Sequence, residues 1–464
     1  MRYISTRGGA PAVDFTEALL AGLAPDGGLY VPETWPGFRA DEIAAFAGAP
    51  YAEVAAAVLS RFAGDALTAA EALDASQKAY AGFAHRAVTP LRQLDADLWL
   101  LELFHGPTLA FKDVAMQLLA RLYEPVLAAA GRKLTIVCAT SGDTGGAAVE
   151  AFRGSPHIDL VVLFPDGRIS EVQRRFMTAV PDDNVRCVAV DGTFDDCQAI
   201  LKALFADQAF ARAVDLSGVN SINWARIVAQ SVYYFTAAAA LGAPERAVSF
   251  AVPTGNFGDA FAGYVARRMG LPMRQILVAT NANDILARAI ATGRYAKGAV
   301  VATQSPAMDI QVASNFERLY FEAVSRDPLE TARAFTGFGA AGALDLPSQA
   351  RGEIAAVFAS AATDEAATTR TMADALAGSG ALIDPHTAVA LHAAAAMQAR
   401  EGRKAPLVVL STAHPAKFPE AVEAATGVHP ALPARAGDLF ARPERIDRLP
   451  ADIDAVKACV RAGR

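Results

Sequence analysis

The segment His105–Asp113 contains a single lysine, Lys112, which comes directly after a run of uncharged residues. Lys112 follows Leu109, Ala110 and Phe111, which are all apolar. Because apolar surroundings disfavour an ammonium ion, they lower the pKa of a lysine and leave a nucleophilic amine. Such an amine can form a Schiff base with an aldehyde. The alternative is an ordinary lysine at the start of a helix, whose ammonium group reaches the solvent.

A first glycine-bearing turn follows the apolar run Leu134–Ala139 and leads into a helical pattern over Ala147–Phe152. The run is typical of a buried parallel strand. A turn between such a strand and a helix points free backbone N–H groups and the positive end of the helix dipole at whatever lies above it. The turn is therefore a candidate anion site, and the alternative is an ordinary strand-to-helix connection.

A second turn of the same kind follows the strand-like run Ser249–Pro253. Gly255 and Gly258 would let the backbone approach a phosphate closely. The spacing matches neither a Walker A loop nor a Gly-x-Gly-x-x-Gly fingerprint, because the lysine and the glycines are placed differently. Taken alone, this spacing is a weak signal.

The elements that must position these residues follow from apolar periodicity. Leu98–Leu103 is predicted to be a strand that leads to the lysine segment, and a helix is predicted from Lys112 to Tyr123. Strands alternate with helices from about residue 131 to 215, and further strands are predicted at Ser249–Pro253, Gln275–Ala279 and Leu407–Ser411. The fold class is therefore α/β. Ligands of such sheets bind beyond the carboxyl ends of the strands, where both turns lie.

Other parts of the chain give simpler patterns. Amphipathic helices are predicted within the first 95 residues, at Tyr51–Phe62 and Leu67–Tyr80. The stretch from 281 to 350 is less regular, and no element is predicted there.

Composition excludes several classes of function. The chain has 464 residues, 53% of them hydrophobic and 20% charged, which is typical of a globular enzyme. A net charge of −7 argues against nucleic-acid binding. No secretion signal and no membrane-spanning run are predicted. The four cysteines and seven histidines form no metal-binding spacing, so no metal is expected and the thiols indicate a reducing, cytoplasmic location.

Together, the three segments resemble pyridoxal-phosphate enzymes of the tryptophan-synthase-β fold type, and within that group the threonine synthase family. Tyr3–Gly8 and Ala24–Pro32 are similar to that family's amino terminus. Ser221–Ile227, Ser305–Arg318 and Leu410–Phe418 are similar to further family blocks in the same order. The resemblance covers nearly the whole chain.

The resemblance implies an architecture. It predicts a mainly helical N-terminal domain over residues 1–95 and a catalytic region over 96–464 with two parallel or mixed-sheet α/β subdomains. The smaller subdomain would span about 131–215. The larger one would combine 96–130 with 216–464.

The resemblance also implies site residues. Lys112 would be the catalytic residue that binds pyridoxal 5'-phosphate as a Schiff base and moves protons. Thr412 would hydrogen-bond the pyridine nitrogen. The cofactor phosphate would be held, mostly by backbone donors, by Gly255, Asn256, Phe257, Gly258 and Asp259.

The implied substrate is O-phospho-L-homoserine, which reacts with water to give L-threonine and phosphate. Its α-carboxylate would bind the loop formed by Thr140, Ser141, Gly142, Asp143 and Thr144. Asp143 stands where many relatives of this fold type have an asparagine near the cofactor's phenolic oxygen. A carboxylate there is unfavourable unless it shares a proton or turns away, so its contact stays open, and a helix cap is the alternative.

A cationic group is needed for the substrate phosphate. Arg226, beside Asn223, occupies the family position, and Arg168 is a second candidate where many relatives have lysine. For each arginine the alternative is an ordinary surface residue. The resemblance further implies a monomer.

Two other functions remain open at this point. An amino-acid dehydratase or a β-replacement synthase of the same fold would give no reason for the Arg226 clamp. A catalytically silent relative that only binds a ligand would not need Lys112, both loops and Thr412.

Overall fold

The computed structural model describes residues 1–462. The helices are α1 Phe15–Ala21, α2 Ala40–Ala44, α3 Tyr51–Ala63, α4 Ala69–Tyr80, α5 Lys112–Ala130, α6 Asp143–Phe152, α7 Glu171–Thr178, α8 Phe194–Ala206, α9 Gln208–Ala213, α10 Trp224–Ala240, α11 Gly258–Arg268, α12 Ile285–Thr292, α13 Phe316–Ala323, α14 Pro328–Ala341, α15 Ser348–Ala355, α16 Glu365–Ser379, α17 Pro385–Glu401, α18 Pro419–Thr426 and α19 Ile453–Ala462.

The strands are β1 Tyr3–Ser5, β2 Tyr30–Pro32, β3 Leu91–Asp95, β4 Leu98–Glu102, β5 Leu134–Ala139, β6 Ile158–Pro165, β7 Val185–Asp191, β8 Leu216–Ser217, β9 Val248–Pro253, β10 Met273–Thr280, β11 Arg294–Ala296, β12 Ala343–Asp345, β13 Phe358–Ala362, β14 Leu407–Ser411 and β15 Asp447–Pro450. The predicted α/β fold is confirmed, and each strand predicted by the apolar runs is present.

The larger sheet has six strands in the order β13-β10-β9-β14-β4-β3. All neighbours are parallel except β3 and β4, which are antiparallel. Every residue of β9 and β14 is buried, which explains why both read as continuous apolar runs. Helix α17 packs against β9, β10 and β14.

The smaller sheet has five parallel strands in the order β15-β7-β6-β5-β8. Helices α8 and α19 pack together on one side, where Val456 and Val460 join a cluster with Leu204. All of 216–464 is predicted to belong to the larger subdomain, whereas in the structure β8 and β15 pair in the smaller sheet and α19 packs beside it. The reason is that β7 offers a strand edge and α19 has an apolar face to bury.

Two other parts of the chain differ from the sequence prediction. Helix α5 continues past Tyr123 through Pro125 to Ala130, since Leu127 is fully buried and holds the last turns against the core. The stretch from 281 to 350, for which no element is predicted, contains α12, α13, α14, β11 and β12 and the start of α15. Apart from α14, these elements have eight residues or fewer, so apolar periodicity does not persist long enough to be recognised.

The N-terminal region supports the helix that starts at Lys112. The predicted helices in this region are α3 and α4, and α4 packs against α5. The Tyr3 hydroxyl donates to the carbonyl of Phe62 at 2.7 Å, which ties β1 to α3. Among the helices of residues 1–462, none combines the length and apolar character that a membrane crossing requires.

Candidate active site

The lysine segment lies beside the carboxyl end of β14. The Phe111 amide donates to the carbonyl of Thr412 at 2.8 Å, and Ala110 pairs with Ala413 in an isolated antiparallel bridge. Both Lys112 and Thr412 therefore lie at the carboxyl edge of the larger sheet, although 300 residues of chain separate them. This is the edge at which ligands of open α/β sheets bind.

The backbone before Lys112 is tightly constrained. Leu109 has a φ of 64°, an uncommon value for a residue with a branched side chain, and it is fully buried. A Cβ atom on Gly106 would lie 2.4 Å from the Cβ of Asp113. The amide and the hydroxyl of Thr108 both donate to the Asp113 carboxylate, and burial raises the pKa of that group to about 6. These contacts fix where α5, and hence Lys112, begins.

The Lys112 amine lies in a confined space. Its side chain is 12% exposed, and Nζ lies 3.6 Å from Oδ2 of Asp143 and 4.7 Å from the centre of the Phe111 ring. Burial lowers the pKa of Lys112 below its ordinary value, and the charge of Asp143 opposes that shift. The direction agrees with the expectation from the apolar neighbours in the sequence.

The first loop is closed by one hydroxyl. Oγ1 of Thr140 accepts from the amides of Gly142 and Gly145, at 2.9 and 3.0 Å. Gly142 has a φ of 133°, and a Cβ there would lie 2.4 Å from Cδ of Gln173. Ser141 and Thr144 are half-buried. The conformation of this loop therefore depends on glycine at position 142 and on the Thr140 hydroxyl.

Asp143, the first residue of α6, is held by partners that the sequence analysis did not identify. Its Oδ1 atom lies 2.8 Å from Nζ of Lys417 and accepts from Nε2 of Gln173 at 3.0 Å. Burial raises the pKa of Asp143, but Lys417 and Lys112 outweigh it and bring the pKa below the ordinary range. The carboxylate is thus charged and pairs with lysines, whereas Gly142 takes the position before the helix.

The second loop is supported from the segment before α13. Oγ of Ser314 donates to Oδ1 of Asn256 at 3.1 Å, and the Asn315 amide donates to the carbonyl of Asn256 at 3.0 Å. The left-handed residue is Phe257, with a φ of 64°, and it precedes α11. Amides in the first turn of a helix have no intrahelical acceptor, so this loop can accept an anion.

Glycine at 255 also has a reason in the packing of the loop. Its φ is not positive, and a Cβ there would lie 3.0 Å from Cα of Met308 and 3.1 Å from the carbonyl of Ala307. Gly255 therefore allows close packing against the turn at 306–308. The Asp259 carboxylate accepts from the Thr254 hydroxyl and the Ala260 amide, and burial raises its pKa to about 6.

Arg226 is buried without a carboxylate partner among the described residues. Its Nη1 donates to the carbonyl of Val219 at 2.9 Å, and its Nε atom has no hydrogen-bond partner. Burial lowers the pKa of this guanidinium to about 10, and Asp259 is near enough to counter part of that shift. A buried, under-bonded guanidinium suits an anionic group of a ligand.

The two other residues predicted to bind substrate near Arg226, Asn223 and Arg168, have surroundings unlike those of Arg226. Asn223 caps α10: its Oδ1 accepts from the Ala225 amide, and its Nδ2 donates to the carbonyl of Leu19 and the hydroxyl of Tyr123. Its amide is therefore fully used in holding the helix that carries Arg226. Arg168 is exposed on the loop after β6.

A second network missed by the sequence analysis supports the end of β14. Asp384 caps α17, pairs with Nδ1 of His386 at 2.7 Å and accepts from the Thr387 hydroxyl. That hydroxyl lies 3.0 Å from Oγ of Ser411, and the Ala307 amide donates to Nε2 of His386 at 3.2 Å. The network links β14 to the turn that contacts Gly255. Among the described residues, no group of three or more His, Cys, Asp or Glu side chains could hold a metal ion.

Three family models match the chain. A model described as "Threonine synthase N terminus" matches residues 2–80, one described as "Pyridoxal-phosphate dependent enzyme" matches 83–413, and one described as "Threonine synthase, C-terminal" matches 387–460. The match at 83–413 covers more than half of the chain and includes Lys112 and Thr412.

Individual relatives agree. The chain is 52% identical over 461 residues to a threonine synthase of Pseudomonas aeruginosa, covering 99% of this chain and 98% of the relative. A crystal structure of pyridoxal-phosphate-bound threonine synthase from Brucella melitensis is 52% identical, with a TM-score of 0.96 and coverage of 100% and 99%. The Escherichia coli threonine synthase structure is 33% identical, with a TM-score of 0.84 and full coverage of both chains.

The resemblance found in the sequence, the fold and the cofactor are confirmed by these matches. The chain therefore belongs to the threonine synthase family of pyridoxal-phosphate-dependent enzymes.

Proposed function

We propose that the chain converts O-phospho-L-homoserine and water into L-threonine and phosphate, with Lys112 as the catalytic residue. The observation that supports this role is the position of its amine, which is largely enclosed, has a lowered pKa and lies 3.6 Å from Oδ2 of Asp143 in the first loop. The same lysine is near enough to Asp259 of the second loop for the two charges to interact. A neutral amine is the form that attacks an aldehyde.

The residues around Lys112 fit pyridoxal phosphate. We assign its phosphate to the backbone of Gly255, Asn256, Phe257, Gly258 and Asp259, because the start of α11 offers backbone amides and a positive dipole end. The Phe257 amide already donates to the Thr254 hydroxyl at 3.0 Å, so the main donors would be its neighbours in the loop. Thr412 is assigned to the pyridine nitrogen. A hydroxyl does not stabilise a full pyridinium charge there, which moderates the electron sink that the cofactor supplies.

The substrate would be held at both ends. The loop Thr140–Thr144 is assigned to the α-carboxylate, because it places amides at the start of α6. Arg226 is assigned to the phosphate, because its Nε atom lacks a partner. Asn223 would act by fixing the start of α10, and Arg168 remains a candidate at the exposed loop after β6.

Lys112 would also move protons. Its Nζ atom would take the proton from Cα of the substrate, and the same amine is the candidate for transfers at Cβ and Cγ because it is tethered beside them. Burial suits this task, since it lowers the pKa of Lys112 and so increases the share of neutral amine that can accept a proton. Arg226 would stabilise the phosphate as it leaves Cγ.

We further propose that the protein is a cytoplasmic monomer. The four cysteines are free and three of them are buried, which suits a reducing compartment. Sedimentation of the purified protein at two concentrations tests the monomer, and fractionation of cells tests the compartment.

Borohydride reduction tests the assignment of Lys112. The holoprotein is reduced and digested, and the pyridoxyl group is expected on the peptide that contains Lys112. Lys112→Ala should remove this covalent label, whereas Lys202→Ala, at an exposed position on α8, should keep it. A label on Lys133, Lys202 or Lys417 would refute the assignment.

Phosphate release tests the substrate. Release is expected from O-phosphohomoserine and not from phosphoserine. A dehydratase or β-replacement synthase would instead act on a substrate with its leaving group at Cβ, and a silent relative would release no phosphate.

A further inference from the structure

A second buried lysine lies close to the first. Lys417 follows β14 and is 0% exposed, and its Nζ atom is 2.8 Å from Oδ1 of Asp143 and donates to the carbonyl of Thr108 at 2.8 Å. The ring of Phe176 covers it, with the ring centre 5.4 Å away. A fully buried lysine is rare unless it is paired. Nothing in the proposed reaction uses this residue.

The two oxygens of Asp143 have separate partners. Oδ1 takes Lys417 and the Gln173 amide at 2.8 and 3.0 Å, whereas Oδ2 faces Lys112 at the longer distance of 3.6 Å. The carboxylate is therefore committed to Lys417, and its contact with Lys112 is beyond hydrogen-bond length. Gly142 makes this possible, since any Cβ there would occupy the place of Gln173.

We propose that Lys417 is a positioning residue that acts as the counter-ion of Asp143, so that Asp143 does not hold Lys112 as a charged ammonium. This inference rests on the proposed role of Lys112. Without Lys417, an anionic Asp143 would have only Lys112 as a cationic partner. That carboxylate would then favour the ammonium form of Lys112, which is the poorer nucleophile.

The charges around Lys112 agree with this arrangement. Asp143 and Asp259 favour its ammonium form, whereas burial, Lys417 and Arg226 disfavour it, and the result is a lowered pKa. These groups come from α6, α11, the turn after β14 and α10. Lys417 thus lowers the pKa of Lys112 in two ways, by the repulsion of its own charge and by neutralising Asp143.

Acetylation of the apoprotein measures this effect without turnover. Trace acetic anhydride reacts with neutral amines only. The labelling of Lys112 is quantified by mass spectrometry against that of exposed Lys202 at a series of pH values. Its pH dependence gives the midpoint of the Lys112 titration. In Lys417→Met the titration midpoint should rise, and a rise of one unit makes labelling about tenfold slower at pH values well below the midpoint. In Asp143→Asn the midpoint should fall, and the double variant should return towards the parent.

Three comparisons separate this role from a merely structural one. Lys417→Arg keeps the charge and should rescue the midpoint, and Lys457→Met removes a Lys–Asp pair elsewhere, 2.7 Å from Asp207, and should leave it unchanged. If Lys417→Met does not fold, Lys417→Gln replaces it, since the amide is uncharged but can still donate to the carbonyl of Thr108. An unchanged midpoint in folded Lys417→Met, or slower labelling in Asp143→Asn, overturns the proposal. Neither result alters the borohydride test, so the two assignments can fail separately.

Discussion

Two buried arginines differ in their hydrogen bonding, in line with a structural role for Arg318 and the proposed anion-binding role of Arg226. Arg318 donates from all three nitrogens, to Tyr30, Asn315 and Ile222. Within the part of the chain that the structure describes, Arg226 makes one hydrogen bond, to Val219, and leaves Nε without a partner. Because a buried unpaired donor costs free energy in the empty protein, Arg226 gains most when an anion is bound.

Arg226→Met should therefore separate activity from stability. Loss of a charged contact to the substrate phosphate should remove about 2–4 kcal/mol of transition-state stabilisation and lower kcat/KM accordingly. The cofactor content should stay unchanged. The apoprotein should unfold at the same or a higher temperature, since an unpaired buried charge gives way to an apolar chain.

Steady-state kinetics and thermal unfolding check both effects. The matched control is Arg400→Met, whose exposed side chain pairs only with Glu401. If kcat/KM were unaltered in Arg226→Met, the residue would have no place in the substrate site.

Single residues also mark the limit of the sequence analysis. Lys112 and Thr412 could be found because they stand in blocks that resemble a known family. Lys417 lies in the last of those blocks, but no role follows from its neighbours. Its partners Thr108 and Asp143 are about 300 residues away in the chain, and only the folded structure brings such residues together.

At the scale of elements, the sequence predicted the bounds of strands best where their side chains are buried. β5 and β14 agree with the predicted bounds to the residue, because each is an apolar run that ends at a turn. β15 was missed because three of its four residues are exposed and it lacks such a run. The general place of both loops could be predicted, but not their supports, such as Ser314 and Asn315, which come from the stretch without predicted elements.

Gly255→Ala tests whether the loop before α11 holds the cofactor. The new Cβ would meet the backbone of Ala307 and Met308 at 3.0–3.1 Å, so the loop or the turn at 306–308 must move. We expect weaker retention of pyridoxal phosphate, by about 1–3 kcal/mol, the usual cost of overpacking. Dialysis followed by absorbance measures retention.

Gly337→Ala is the matched control for this change. Position 337 lies in α14 with nothing within 4 Å of an added Cβ, so alanine there should stabilise the helix by about 0.5–1 kcal/mol and leave retention unchanged. Equal retention in Gly255→Ala and the parent would contradict the loop assignment.

At the scale of the whole molecule, the site combines residues from both sheets. Asp143 follows β5 of the smaller sheet, whereas Lys112 follows β4 and both Thr412 and Lys417 follow β14 of the larger sheet. The Lys417–Asp143 pair therefore joins the two sheets across the site. The buried carboxylates in this region also make the stability of the molecule depend on pH.

Asp259→Asn should reveal one such dependence in the apoprotein. Burial raises the pKa of Asp259 to about 6, so between pH 4 and 6 the folded protein binds more protons than the unfolded chain. The contribution of Asp259 to the free energy of unfolding therefore falls as the pH rises through this window. Asparagine does not titrate, and it keeps an oxygen that can accept from Thr254 and Ala260.

The difference in unfolding free energy, variant minus parent, should therefore increase from pH 4 to about 6 and stay constant above it. Its total change should be about 3 kcal/mol, since each pKa unit corresponds to about 1.4 kcal/mol. Urea unfolding at a series of pH values measures it. Asn256→Ala alters the same loop without removing a titratable group, so its difference from the parent should not vary with pH. A flat or decreasing difference for Asp259→Asn would show that burial does not govern this carboxylate.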